Sequence, residues 1–173
     1  MAQELRGLLD SEKDMLRPAF GMRIDYSSVR LSNGHRKHPI ALVALKVPNT
    51  DAITLGDTIY FGGHYHADFS TAPIESKCLL FHEMTHVWQW TALGRIGFLA
   101  RYLGEFVGAG LNSPKMYKYK KANESGGPEH FWKARLEAQA DMIRDYARAH
   151  ITDDAAGKQK QAVHLAKTHF FDL

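Results

Sequence analysis

The chain has 173 residues, 45% hydrophobic and 24% charged, with a formal net charge of +3. That is enough for one domain with a real core, and it excludes long-range disorder. The positive balance is too weak and scattered to argue for nucleic-acid binding, and the single cysteine, Cys78, excludes an intramolecular disulfide and fits a reducing compartment.

The N-terminal stretch MAQELRGLLDSEKDM spreads its charges and has no apolar h-region, so no secretory signal peptide is expected. Residues 3–16 read as a short amphipathic helix ending before Pro18. From 22 to 72 the character changes. MRIDYSSVRLSN and AITLGDTIYFGG carry β-branched and aromatic residues bounded by Gly and Asn, as strands do. Gly56-Asp57 suits a tight turn before a strand at 57–61.

After residue 73 the pattern is helical. Pro73 suits a first turn with Ser70 and Thr71 as N-caps, and the helix runs to about Leu93, where Gly94 is a natural stop. A second helical segment, 96–110, has Gly104 and Gly108 four apart, which would let another element approach closely. Residues 91–111 form the most membrane-like stretch, but Arg95, Arg101 and Glu105 interrupt it, so no transmembrane helix is expected. Residues 112–128 read as a loop, including the basic run KYKK at 118–121. Pro128 then opens a long helix with Phe131, Leu136, Ala140, Ile143 and Ala147 near helical spacing, and a last helix fills 153–168. No linker or repeat divides the chain. The order helix, strands, helices predicts a single α+β domain over residues 1–173.

The chemistry concentrates in LLFHEMTHVWQW, residues 79–90. On a helix, His82 and His86 at i and i+4 project their imidazoles to one side, where both can grip one Zn²⁺. Glu83 points around the cylinder, from where its carboxylate can reach a water beside the metal and act as general base. The surrounding residues are apolar almost all round, so the helix is expected to be buried. Burying two histidines and a glutamate together is expensive without a partner, and a metal accounts for all three.

A catalytic zinc needs a third protein ligand. The extended three-histidine pattern fails, because positions 89 and 92 hold Gln89 and Ala92. The other route is RLEAQADMIRDY, 135–146, which offers Glu137 and Asp141 at i and i+4. One can bind the metal while the other fixes the tautomer of a ligating His through its outer N–H. The plain alternative is two solvated acids paired with Lys133 and Arg144. Glu137 as ligand and Asp141 as the supporting group is the favoured assignment, with the reverse as the alternative.

HEMTH at 82–86 and EAQAD at 137–141 together resemble the gluzincin branch of the zincin metallopeptidases. The resemblance implies a zincin-like fold, with a small mixed or antiparallel sheet packed on the active-site helix and a mainly helical C-terminal half. It implies His82, His86 and Glu137 as zinc ligands, Glu83 as catalytic base and Asp141 as the partner of a ligand His. The longer string FHEMTHVWQW, with DTIYF before it and EAQADMIRDY after, is similar to small bacterial zincin-like proteins found with type VI secretion and Rhs-type toxin systems, some called Vgr-related. That implies an effector that cleaves a peptide or protein substrate, with a secretion-apparatus or immunity-type protein partner. It would be cytoplasmic in the producing cell, or exported by machinery that reads no N-terminal signal. The rival readings are a non-catalytic, zinc-containing secretion-associated binding or structural module, and a cell-wall amidase. In zincins an antiparallel edge strand lines the cleft, and DTIYF, 57–61, is the candidate here.

A hydrolase of this kind also needs a donor for the developing oxyanion. Tyr117, Tyr119, Tyr146 and His150 are candidates, and Tyr119 is carried forward as the catalytic one. His64, His66 and Asp68 would share a face if GGHYHADF were a strand, which makes a second metal site conceivable; a polar loop is the simpler reading.

Overall fold

The computed structural model describes residues 5–47, 50–111, 113–121, 125 and 128–172. The N-terminal half builds a small sheet whose strands alternate with two helices. Strand β1 (Leu5–Gly7) precedes helix α1 (Asp10–Phe20) and strand β2 (Arg30–Asn33). A short helix α2 (Pro39–Ala44) leads to β3 (Ala52–Leu55) and β4 (Thr58–Phe61), joined through Gly56 at φ 68°. The strand order is β1-β2-β4-β3, and the pairing is mixed: β2 runs parallel to β4, and the outer pairs are antiparallel.

Three expectations change here. The helix placed at 3–16 begins only at Asp10 and includes Pro18, while Leu5–Gly7 pairs with β2 instead; residues 3 and 4 lie outside the described ones. Between 22 and 33 only Arg30–Asn33 is strand. The segment DTIYF is not the edge strand. β4 is hydrogen-bonded on both sides, and β3 takes the edge.

One buried carboxylate pins the N-terminal elements. Glu12 is fully buried and takes two 2.7 Å hydrogen bonds from the Arg6 guanidinium, plus 2.8 Å bonds from the Leu9 and Phe69 backbone amides. The Leu9 bond caps α1, and the Phe69 bond fastens the chain just before the longest helix.

That helix, α3 (Ile74–Gly108), has two arms. Its first arm begins after Pro73 as N-cap; Phe69–Thr71 form a 3-10 turn, so Ser70 and Thr71 do not cap it. Leu80, Phe81, Met84 and Val87 are buried, and such side chains stabilise the fold by roughly 1.5–3 kcal/mol each. The expected break at Gly94 is present, at φ 67° and ψ 167°. It redirects the second arm without ending the helix. Phe98 then stacks on Trp90 (4.3 Å between ring centroids), and Arg101 donates to the Ala134 carbonyl at 2.8 Å. The outer side of this arm leaves Ile96, Leu99, Leu103 and Val107 exposed, and Gly104 and Gly108 face open space.

The rest is helical: α4 (Ser113–Met116), α5 (Leu136–Ile151) and α6 (Ala155–Leu165). The loop expected at 112–128 contains α4, and residues 112, 122–124, 126 and 127 lie outside the described ones. Pro128 does not open the long helix. A 3-10 turn at Phe131–Lys133 intervenes, and α5 starts at Leu136, whose amide donates to Glu105 Oε2 at 2.7 Å. Side-chain capping from the second arm of α3 therefore sets where α5 begins. One buried apolar cluster runs from Leu8 to Phe170 and includes residues of the sheet, α1, α3 and α5. Among the described residues no helix is long and apolar enough to cross a membrane.

The backbone at Gly94 lies in a region that side-chain-bearing residues avoid, and a Cβ there would meet no neighbour within 4 Å. Gly94→Ala therefore tests backbone strain without a clash. It is expected to cost about 1–3 kcal/mol, read as a lower urea midpoint with an unchanged m-value.

Candidate metal centre

The first arm of α3 and the first turn of α5 pack side by side, and their facing sides bring three ligating atoms together. His82 Nε2 and His86 Nε2 are 3.2 Å apart, and Glu137 Oε2 lies 3.3 Å from the first and 3.2 Å from the second. All three residues are buried. Two ligands held at about 2.0–2.1 Å on adjacent corners of a zinc tetrahedron lie roughly 3.3–3.4 Å apart. The triangle has the dimensions of one face of such a tetrahedron.

The hydrogen-bond network tells which ring nitrogens carry protons. Gln139 Nε2 donates to the Phe131 and Ala134 carbonyls (2.9 and 3.2 Å), so its Oε1 faces Gln89. Gln89 Nε2 donates to that oxygen at 2.9 Å and to the Leu136 carbonyl at 3.0 Å. Gln89 Oε1 is therefore the atom 2.7 Å from His86 Nδ1, and Nδ1 must be the N–H. His82 Nδ1 lies 2.9 Å from Asp141 Oδ1 in a bent contact, neither atom making a well-directed hydrogen bond, and the carboxylate favours the proton on that nitrogen as well. In the neutral rings both Nε2 atoms then present bare lone pairs to the Glu137 carboxylate. Three acceptors at this spacing, out of water, repel one another unless a cation sits between them.

The electrostatics agree. Without a metal the same arrangement favours a proton on the rings. Burial opposes charging His82, but Asp141 and Glu137 outweigh it and push the ring up to about 10. Burial likewise opposes charge on His86, and Glu137 raises it; Glu137 itself is held well below the usual carboxylate range by the two rings, against its own burial. The donor set, two imidazoles and a carboxylate, suits Zn²⁺.

Glu83, one residue from His82, faces the other wall. Its Oε2 accepts a 2.7 Å hydrogen bond from Thr54 Oγ1 on β3, and Trp90 Nε1 donates to the Thr54 carbonyl at 3.3 Å. The edge strand thus supports Glu83. A cleft of about 450 Å³ opens here, bordered by His82, Glu83, Ala52, Tyr117, Arg144 and Arg148 among others.

The model of the eCIS core domain matches residues 10–93. The type VI secretion system spike protein VgrG2b of Pseudomonas aeruginosa is 34% identical over 154 residues, 84% of this chain. This chain spans only 13% of that protein's length. The solved structure of the effector domain of Pseudomonas aeruginosa VgrG2b superposes with a TM-score of 0.61 at 26% identity, covering 93% of this chain and 82% of that one. The chain is related to a Vgr effector domain.

The Vgr-related fold treats the other candidate residues unequally. Tyr119 turns away from the triangle. Its hydroxyl donates to Asp145 at 2.7 Å, and its ring packs on His164 and under Lys121. Tyr117 instead stacks over His82, 6.1 Å between centroids, and borders the cleft. Tyr102, on the second arm of α3, was not singled out from sequence; burial first and then the nearby Glu137 carboxylate raise its pKa. Tyr146 packs on Phe171, and His150 lies against the same ring. His64 and His66 do not share a strand face: His64 is exposed near Asp51, and His66 contacts Ser76. Arg144 does pair with Asp141, at 2.7 Å, as a surface reading would have it, yet Asp141 also reaches His82.

Sequence reasoning also passed over Thr54 and Gln89. Thr54 had no local signal. Gln89 had one: it lies three residues after His86 on the same buried helix side.

The proton in the triangle links stability to pH. His82 binds its proton more tightly when folded (about 10) than at its ordinary value of 6.5. Its contribution is complete below 6.5 and fades as pH rises through 10. Glu137, lowered from 4.5, acts oppositely, losing its contribution as pH falls below that value. Chelator-treated protein should therefore show a urea midpoint that falls above pH 6.5, and His82→Gln should flatten that alkaline limb.

Proposed function

We propose that this chain is a zinc-dependent hydrolase, a metallopeptidase of zincin-like fold, serving as an effector in a bacterial type VI secretion setting. The observation that carries the chemistry is the convergence of His82 Nε2, His86 Nε2 and Glu137 Oε2 into a triangle of zinc dimensions beside Glu83 and an open cleft. The secretion setting rests on similarity to VgrG2b, a type VI spike protein whose solved homologous region is described as an effector domain.

His82, His86 and Glu137 would hold the metal, which when bound polarises a carbonyl and acidifies water as a Lewis acid. Glu83 takes the proton of the attacking water and passes it to the leaving amine. Thr54 occupies Oε2 and orients the carboxylate, leaving its other oxygen for that transfer. Asp141 and Gln89 hold the outer nitrogens of the two rings. Tyr117, above His82 at the cleft, is placed to donate to the developing oxyanion; Tyr119 is committed to Asp145. An extended peptide can add to the outer edge of β3, where Trp90 Nε1 already takes the Thr54 carbonyl, and strand addition gives sequence-tolerant binding. The partners that follow are a peptide or protein substrate, the secretion apparatus and an immunity-type protein.

The purified protein is expected to carry about one zinc per chain, measured by elemental analysis. Glu83→Gln should keep that zinc and lose cleavage of a peptide library by about 100-fold or more. Retained cleavage in this variant would remove Glu83 from the mechanism. Zinc without any cleavage by the wild type would make the chain a binding module.

Glu137→Ala should weaken zinc binding measured against a competing chelator, whereas full occupancy in that variant would move the third ligand to Asp141.

A further inference from the structure

The residue that breaks the three-histidine pattern has a part of its own. Gln89 stands where that pattern has a glycine, and its amide makes three contacts, each to a different piece of the site. Oε1 accepts from His86 Nδ1, while Nε2 donates to the Leu136 carbonyl and to Gln139 Oε1. Gln89 is 1% exposed and Gln139 2%, so these bonds are made out of water. Gln139 continues the chain to the Phe131 and Ala134 carbonyls, in the turn that precedes α5. Leu136 directly precedes Glu137. The Gln89 amide therefore joins one histidine of α3 to the backbone that carries the carboxylate of α5.

We propose that Gln89 is a positioning residue for the metal site: its carbonyl oxygen fixes the His86 ring with Nε2 toward the centre, and its amide nitrogen sets the first turn of α5 so that Glu137 meets that ring. This rests on the metal reading above and adds a residue to it. The physical basis is complementarity at both ends. A buried imidazole with an unpaired Nδ1 can place its proton on Nε2, which removes it as a ligand. A carbonyl-oxygen partner excludes that tautomer. The two backbone-anchored amides cannot flip without setting acceptor against acceptor at the Phe131, Ala134 or Leu136 carbonyl. His82 uses a different device, the Asp141 carboxylate, which Arg144 holds in turn. The two rings are thus held by a charged partner and a neutral one.

The test compares zinc affinity, by chelator competition, and the visible absorption of the Co²⁺-substituted protein for wild type, Gln89→Leu and Gln89→Glu. Gln89→Leu removes the acceptor and both donors and is expected to weaken zinc binding about 10–100-fold and to change the Co²⁺ spectrum. Gln89→Glu keeps an acceptor for His86 and loses the donors, so it should fall between wild type and Leu. It also serves if the Leu variant fails to fold, as a Co²⁺ spectrum close to wild type with a weaker affinity. Wild-type affinity and spectrum in Gln89→Leu, or equal losses in Glu and Leu, would overturn the assignment. Should wild-type protein take up neither Zn²⁺ nor Co²⁺, the metal reading itself falls, a result distinct from a metal-binding wild type with unaffected variants.

Discussion

Three lone pairs brought within 3.3 Å of one another, away from water, are the constraint around which the rest of the molecule is arranged. Such a grouping is unstable by itself. The neighbouring carboxylates favour positive charge there against burial, and rigid elements hold each donor from behind. Asp141 and Arg144 stand behind His82, Gln89 and Gln139 behind His86, and the capped start of α5 behind Glu137.

The break at Gly94 belongs to the same arrangement. A straight continuation of α3 would carry residues 95–108 away from the centre. The glycine conformation turns the second arm so that Phe98 closes against Trp90 and the edge of His86, Tyr102 approaches Glu137, and Glu105 takes the first free amide of α5. On the opposite side the sheet supplies Thr54 to Glu83. Two helix arms, a third helix and one edge strand thus meet at a site whose chemistry occupies a handful of atoms. The buried Glu12 hub keeps the sheet end and the entry to α3 in register, some distance from those atoms.

Strand assignment shows how local and long-range information divide. The β-branched runs at 52–61 and the Gly56 turn were legible because hairpins are made by near neighbours. Which strand stands at the edge was not, because β4 acquires its second partner from residues 30–33, across the whole of α2. The same limit moved the start of α5 from Pro128 to Leu136. Helical periodicity suggests a segment, but the capping carboxylate of Glu105 comes from 31 residues away.

By itself the sequence determined that His82, Glu83 and His86 share a buried helix, that Glu137 and Asp141 share another, and that Gly94 interrupts the first. These follow from the 3.6-residue repeat and from the absence of a side chain at glycine. Only the tertiary structure decided which carboxylate meets both Nε2 atoms, that Gln89 reaches the Leu136 carbonyl and Gln139, that Thr54 holds Glu83, and that Tyr117 and not Tyr119 overlies His82. Each depends on how α3 packs against α5, β3 or the segment after α4, and on which side chain fills the space between them. Contacts of that kind join residues about 30 to 55 positions apart and leave no periodic trace in the chain.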